Sequence, residues 1–259
     1  MLALIAGTGG LPPAIAAATD VDMICALDGF VPDLTVDVTF RLEHLGSFLA
    51  DLTQRGVTRV CLAGAVKRPQ IDSTEIDAAT RPLVPVIQAA MAQGDDGALR
   101  ALMQIIEAHG LIIVAAHTLV PALLPFAGVP TAQKPNGEMM AEAVLGERVI
   151  AKLGALDRGQ ACVIQGAKLL AEEGPQGTDA MLGTVIAESG ILYKAPKPRQ
   201  DRRADLPVIG PDTAQAVVDA GLDGIVITAG GVMVLHQPDV LDILNVAGKV
   251  LWIRPETEN

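Results

Sequence analysis

"MLALIAGTGGLPPAIAAA", residues 1–18, is the stretch from which the fold class is read most directly. Its apolar run at 2–7 predicts a buried strand, the Gly-Thr-Gly-Gly that follows predicts a tight turn, and the alanine-rich remainder predicts a helix. No positive residue precedes the apolar run and the glycines interrupt it, so the stretch does not fit a secretory signal peptide. We therefore expect a folded strand, turn and helix, and a cytoplasmic protein.

The same alternation continues through the first half of the chain. Residues 46–56 and 96–110 carry apolar side chains at three- and four-residue spacing and end in glycine, which predicts amphipathic helices. Strands are predicted at 2–7, 21–29, 58–66 and 110–117. Strands that alternate with helices indicate an α/β fold in which a mostly parallel sheet is covered by helices on its faces.

The length indicates two domains. At 259 residues the chain exceeds the common domain size of about 100–150 residues, although one large α/β domain is the alternative. Residues 127–138 hold two prolines and two glycines without apolar periodicity, which is typical of a linker. We predict a Rossmann-like N-terminal domain at 1–128, a linker at 129–137, a C-terminal α/β domain at 138–259, and a ligand cleft between the domains.

The C-terminal domain repeats the α/β pattern. Its predicted helices lie at 138–156, about 178–188, 212–221 and 238–248, and its predicted strands at 160–165, 190–194, 224–235 and 249–255. A Gly-Gly pair interrupts the third of these strands. The pattern therefore favours a second sheet with its own helices.

Composition excludes several classes of protein. A net charge of −11 and an aromatic content of 2% argue against a nucleic-acid-binding protein, which needs clustered cations and stacking surfaces. The apolar runs are shorter than the roughly 20 residues that cross a bilayer, so we expect a soluble protein. Cys25, Cys61 and Cys162 lie apart in apolar runs, which predicts buried free thiols, a reducing compartment and no zinc site.

The segment "KAPKPRQDRRADLPVIGPDT", residues 194–213, concentrates charge of both signs in an otherwise apolar chain. Its prolines prevent a helix through most of its length. Phosphate chemistry uses both signs together, because carboxylates hold Mg²⁺ while Lys and Arg bind phosphate oxygens. The segment therefore indicates a polar ligand site, and a surface loop with ordinary Asp–Arg pairs is the alternative.

Two further places are candidates for phosphate binding. The turn after the first strand could hold phosphate on the backbone of Gly7 and Gly9, or it could be purely structural. It is not a dinucleotide fingerprint, because Pro12 stands where that motif requires glycine. Lys67 and Arg68 directly follow a predicted strand, where ligands of α/β sheets usually lie, and a solvated basic loop is the alternative.

Several motifs, in order along the chain, resemble a known family. They are "LIAGTGGLPPAIA", "AGAVKRP", "GDDGALR", "VAAHTLVPALL", "LDRGQACVI", "GTDAML", "YKAPKPRQDRRADLPVIGPDT" and "AGLDGIVITAG". They are similar to motifs of the bacterial UDP-2,3-diacylglucosamine diphosphatases (pyrophosphatases) of the two-domain type, which act in lipid A biosynthesis. The resemblance covers nearly the whole chain and implies two domains around a cleft.

The resemblance also implies the chemistry. Members of this family use Mg²⁺ to hydrolyse UDP-2,3-diacylglucosamine to UMP and 2,3-diacylglucosamine 1-phosphate. It implies that Asp179, Asp201 and Asp205 bind metal and activate water, and that the phosphates contact Lys194, Lys197, Gln200, Arg202 and Arg203. A lipid substrate implies contact with the inner membrane surface, and the apolar composition favours a homodimer.

Two positions depart from the family pattern. Gln176 stands where a glutamate is expected before Gly-Thr-Asp, and Thr184 stands where an arginine often follows. Gln can hydrogen-bond a phosphate but brings no charge. The alternatives are therefore a non-catalytic protein that binds a nucleotide or lipid, and a hydrolase of another UDP-sugar.

Overall fold

The computed structural model describes residues 1–66, 71–91, 94–156, 158–198 and 200–256. The chain forms two compact units. The N-terminal unit comprises Met1–Pro121 and Asp201–Ala204, and the C-terminal unit comprises Ala122–Gln200 and Asp205–Asn259. The prediction of two α/β domains is confirmed, while the predicted linker bounds and the predicted cleft stay predictions.

The N-terminal unit is built on a five-stranded parallel sheet with the order β3-β2-β1-β4-β5. Its elements are β1 (Leu2–Ala6), α1 (Leu11–Ala18), β2 (Met23–Leu27), β3 (Val38–Phe40), α2 (Leu45–Gln54), β4 (Arg59–Ala63), α3 (Val84–Met91), α4 (Asp95–Ala108), β5 (Ile112–Ile113) and α5 (Ala116–Leu119). The central strand β1 consists entirely of apolar residues, because a parallel strand with helices on both faces has no solvent side.

The last predicted strand of this unit is only partly correct. Residues 110–117 were expected to be extended, whereas only Ile112–Ile113 pair with β4 and a short helix begins at Ala116. An unbroken apolar run does not by itself distinguish a strand from a buried helical turn, which explains the error.

The C-terminal unit contains a mixed sheet with the order β12-β10-β8-β6-β7. Its elements are α6 (Gly137–Ala155), β6 (Ala161–Gln165), β7 (Lys168–Glu172), α7 (Thr178–Leu182), β8 (Ile191–Lys194), β9 (Val208–Ile209), α8 (Pro211–Asp219), β10 (Gly224–Thr228), β11 (Met233–Val234), α9 (Gln237–Val246) and β12 (Val250–Arg254). The strands β8, β10 and β12 are parallel, whereas β6 runs antiparallel to both β7 and β8.

Helix α6 covers one face of this sheet. Its buried Ala143 and Ile150 belong to the same apolar cluster as Tyr193 of β8. A Cβ atom on Gly146 would lie 2.5 Å from the Tyr193 ring, so the glycine allows the helix to rest directly on the strand. This close contact fixes α6 beside the strand that leads into the charged segment.

The predicted helix at 178–188 is wrong beyond residue 182. Helix α7 ends at Leu182, and the Thr184 hydroxyl and N–H both donate to the carbonyl of Met181. Gly183 and the β-branched Thr184, Val185 and Ile186 are weak helix formers, so the chain leaves the helix there. Among the described residues, none of the helices combines the length and the apolar character that a membrane span requires.

Candidate active site

Lys194 stands at the carboxyl end of β8, beside the corresponding end of its parallel neighbour β10. Ligands of α/β sheets usually bind at this edge. The Lys194 side chain is nevertheless buried, with 6% of the residue exposed. Its Nζ donates a hydrogen bond to Oγ1 of Thr178 at 2.8 Å.

Thr178 connects this ammonium to a buried carboxylate. Thr178 is the first residue of α7, and its hydroxyl donates to Oε1 of Glu173 at 2.5 Å. The other oxygen of Glu173 accepts the N–H of Gln160 at 2.6 Å. Burial lowers the pKa of Lys194, and the negative charges of Glu173 and Asp179 act in the opposite direction. We call Glu173, Thr178 and Lys194 the buried triad.

In the charged loop, defined as residues 194–205 with Arg199 outside the described residues, the side chain of Gln200 makes three hydrogen bonds. Oε1 of Gln200 accepts the N–H of Lys197 at 2.8 Å. Nε2 of Gln200 donates to Oδ2 of Asp205 at 2.5 Å and to Oε1 of Gln160 at 3.1 Å. Gln160 therefore contacts Gln200 through its side chain and the buried triad through its backbone. One hydrogen-bond network thus contains four predicted site residues of this unit: Lys194, Lys197, Gln200 and Asp205.

Sequence reasoning missed Gln160 and Glu173. Gln160 stands at the start of a predicted strand, where a polar residue is ordinary, and Glu173 lies in an irregular acidic stretch. Gln160 lies within the family-like motif LDRGQACVI, but the motif assigns it no role, and Glu173 lies outside the quoted motifs. Their part in the site depends on tertiary contacts across 13 and 40 residues of chain.

Asp201 and Arg203 belong to the N-terminal unit and form a bidentate pair there. Nε and Nη2 of Arg203 donate to the two carboxylate oxygens of Asp201 at 3.0 and 2.8 Å, and Nη1 donates to Glu107 at 2.5 Å. This guanidinium holds the pKa of Asp201 below its usual range. Arg202 is exposed, and its charge adds to burial in lowering the pKa of His117.

Asp179 is exposed in the first turn of α7. Within the residues that the structure describes, no three His, Cys, Asp or Glu side chains form a group that could hold a metal ion. Mg²⁺ in phosphate sites commonly uses one or two carboxylates together with substrate oxygens. Exposed Asp179 and partly buried Asp205 are donors of that kind, whereas both oxygens of Asp201 are bound by Arg203.

The glycine turn after β1 has structural contacts. The N–H of Gly7 donates to the carbonyl of Ala63 at 2.8 Å, and a Cβ on Gly7 would lie 2.5 Å from the carbonyl oxygen of Ala65. Pro12 and Pro13 supply no N–H to the first turn of α1. Phosphate binding by Gly7 and Gly9 stays a prediction. Lys67 and Arg68 lie outside the described residues.

The two positions that depart from the family pattern, Gln176 and Thr184, do not belong to the buried triad. Gln176 is exposed, two residues before Thr178. Thr184 follows the end of α7 and hydrogen-bonds within that turn. The lost negative charge at Gln176 is therefore a change on the surface beside α7.

Comparison with known proteins covers almost the whole chain. Residues 1–123 match the family described as LpxI N-terminal domain, and residues 126–252 match the family described as LpxI C-terminal domain. The UDP-2,3-diacylglucosamine pyrophosphatase LpxI of Caulobacter vibrioides is 33% identical over 275 aligned positions, covering 98% of this chain and 98% of the relative. The chain is therefore a member of the LpxI family.

Proposed function

We propose that the protein hydrolyses the diphosphate bond of UDP-2,3-diacylglucosamine in lipid A biosynthesis and releases UMP and 2,3-diacylglucosamine 1-phosphate. The observation that carries this proposal is the match to both LpxI domains, in order, with a pyrophosphatase relative covered over 98% of its length. The alignment spans both domains of the relative, so the proposal does not rest on a single shared domain.

The residues of the charged loop suit a diphosphate. In the hydrolysis, the oxygen of a water molecule bonds to one phosphorus while that phosphorus separates from the bridging oxygen, and a carboxylate takes the proton of the water. Asp205, held by Gln200, is our candidate for that carboxylate. Lys194, Lys197 and Arg202 are proposed to stabilise the negative charge on the phosphate oxygens.

We also propose that the reaction depends on Mg²⁺, which would neutralise charge on the phosphate oxygens. Asp179 and Asp205 are the proposed protein ligands. Asp201, the third predicted ligand, accepts one hydrogen bond from Arg203 on each of its oxygens, so it would bind a cation only through its remaining lone pairs. Through these hydrogen bonds Asp201 orients the Arg203 guanidinium.

The test is the release of UMP from UDP-2,3-diacylglucosamine by the purified protein, with Mg²⁺ and with EDTA. We expect release with Mg²⁺ and its loss with EDTA. UDP-glucose, which lacks acyl chains, is the matched control and should react far more slowly, because each buried methylene contributes about 0.8 kcal/mol. Binding of the substrate without UMP release would contradict the proposal and favour a non-catalytic homologue, and equal rates on both substrates would favour another UDP-sugar hydrolase.

The oligomeric state and the location of the protein do not follow from its reaction. We propose a cytoplasmic homodimer that meets its lipid substrate at the inner membrane surface. The support is the set of apolar side chains exposed on the C-terminal unit, which includes Ile186 at 98% and Val246 at 91%. Sedimentation equilibrium should give twice the chain mass of 26.8 kDa, and a mass of one chain would contradict the dimer.

A further inference from the structure

The hydroxyl of Thr178 has only one orientation that satisfies both neighbours. Lysine donates hydrogen bonds but accepts none, and a carboxylate accepts them. The single hydroxyl hydrogen of Thr178 must therefore point to Glu173, which turns an oxygen lone pair toward Lys194. The hydroxyl thus links the two charged groups, so the position of the Glu173 carboxylate determines where the Lys194 ammonium is held.

Glu173 is itself held rigidly from two sides. Its backbone N–H donates to the carbonyl of Ala161 at 2.9 Å, and its Oε2 accepts the N–H of Gln160 at 2.6 Å. A Cβ on Gly159 would lie 2.4 Å from the carbonyl oxygen of Glu173, so only glycine allows this approach. Glu173 is also only 8% exposed, which leaves little room for another rotamer.

The burial of Lys194 makes this support necessary. A long, flexible ammonium side chain normally remains in water, and burying it without a partner is strongly unfavourable. Lys194 lies in the same network as Gln200 and Asp205 through Gln160, so its direction is set relative to these two residues of its own unit.

We infer that Glu173, acting through the hydroxyl of Thr178, is the residue that positions the Lys194 ammonium toward an oxygen of the substrate's diphosphate. The inference rests on the proposed function, since it names how one of its cations is held. Glu173 and Thr178 are positioning residues, and Lys194 is the group that touches the substrate.

The first experiment replaces the hydroxyl and then restores it. Thr178→Val should lower kcat roughly 10- to 100-fold, the range expected when a hydrogen bond to a charged group is lost. Thr178→Ser should remain within about threefold of wild type, because the hydroxyl returns. Glu173→Gln should lower kcat about tenfold. Glu172→Gln is the matched control, since this neighbouring carboxylate pairs with Arg158 on the surface, and it should keep the wild-type rate.

The second experiment asks whether the effect passes through Lys194. In a Lys194→Met background, Thr178→Val should cause little further loss, because the ammonium that it orients is gone. The Met side chain also removes the buried charge, so the double variant is not required to fold around an unpaired ammonium. Equal additional losses in both backgrounds would overturn the inference, as would a wild-type rate for Thr178→Val.

Affinity for UDP separates this inference from the proposed function. We expect Thr178→Val to raise the Kd of UDP about tenfold, and Thr178→Ser to restore it. If wild type binds UDP but does not hydrolyse the acylated substrate, the proposed function fails while these affinities still decide the positioning role. If wild type neither binds UDP nor hydrolyses the substrate, both proposals are overturned.

Discussion

Gln200 shows how a single side chain organises a loop that has little regular structure. Its amide oxygen accepts one hydrogen bond and its amide nitrogen donates two, so the neutral side chain joins a backbone N–H, a second glutamine and a carboxylate. A charged residue could not both donate and accept in this way. The glutamine therefore holds Asp205 without neutralising its charge.

Asp205→Asn is the direct test of the carboxylate at the residue scale. The amide still fits beside Gln200 but has no negative charge, so we expect kcat to fall at least about 100-fold, as for loss of a general base. Asp219→Asn is the matched control, because exposed Asp219 accepts a similar bond from Gln215 at 2.8 Å. UMP release checks the rate and thermal unfolding checks the fold. A wild-type rate for Asp205→Asn would remove Asp205 from the chemistry.

Glu142 allows a prediction about pH and stability. Burial raises the pKa of this carboxyl, and the charges of Glu138 and Asp223 raise it further, although the N–H of Gly166 donates to it. A carboxyl with a raised pKa stabilises the fold most when protonated, below the ordinary glutamate pKa, and that stabilisation is lost as pH rises through the raised pKa. Glu142→Gln should therefore raise Tm at pH 8 by roughly 2–4 °C.

The same variant should match wild type near pH 4, where both side chains are neutral. Glu188→Gln is the control, since Glu188 is exposed and is not one of the charges that raise the pKa of Glu142. Its Tm should remain the same or fall slightly at pH 8. A Glu142→Gln variant with a lower Tm at pH 8 than wild type would contradict this reading of the pKa shift.

At the scale of elements, helix α6 both covers the sheet and restricts where the backbone of the charged loop can lie. Near its C-terminal end, a Cβ on Gly154 would lie 2.4 Å from Cδ of Pro198 and 3.2 Å from Cβ of Lys197. Proline is rigid, so the backbone of the loop would have to move. The helix thus restricts the position of the loop at Lys197 and Pro198.

Gly154→Ala should therefore lower kcat about tenfold, because a small displacement of positioned groups reduces turnover strongly. Gly137→Ala in the first turn of the same helix is the control, since its added Cβ meets no atom within 4 Å. The control should keep the rate and leave Tm unchanged or slightly raised. Equal rates for both variants would show that the loop tolerates the shift.

At the scale of the whole molecule, the two units should respond differently to acid. In the N-terminal unit, the N–H of Asp72 and the Arg41 guanidinium hold the pKa of buried Glu43 below its usual range, although burial opposes them. A carboxyl with a lowered pKa stabilises the fold above its ordinary pKa, and this stabilisation is lost as pH falls through the lowered pKa. Acid should therefore weaken the N-terminal unit.

The chain's one tryptophan, Trp252, lies in the C-terminal unit and reports on that unit alone. Unfolding of the N-terminal unit should therefore appear as a urea transition that circular dichroism detects and Trp252 fluorescence does not. We expect the midpoint of this transition to fall by roughly half a molar of urea when the pH is lowered from 7 to 3.5. Glu43→Gln should reduce that movement. The prediction would be contradicted if acid lowered the midpoint of the fluorescence transition more than that of the N-terminal unit's transition.

Regular periodicity predicted most of the helices and strands, whereas the shortest strands and part of the candidate site carry no recognisable pattern. The helices over 46–56, 96–110 and 138–156 are observed with small changes at their ends, because each combines apolar spacing with a glycine or a cap. The short strands β3 and β9 have three and two residues, which is too little for a pattern to be recognised. They form because a neighbouring strand is present to pair with them.

The α/β class, the two domains, the family and the charged loop follow from the residues alone, because periodicity, length and an unusual charged run can be recognised without the folded structure. The burial of Lys194, its contacts with Thr178 and through it Glu173, and the binding of both Asp201 oxygens by Arg203 are seen only in the folded chain. Hydrogen bonds and burial depend on which distant segments meet, and no local pattern specifies that. The glycines of α6 and the start of β6 bring those segments together only in the folded chain.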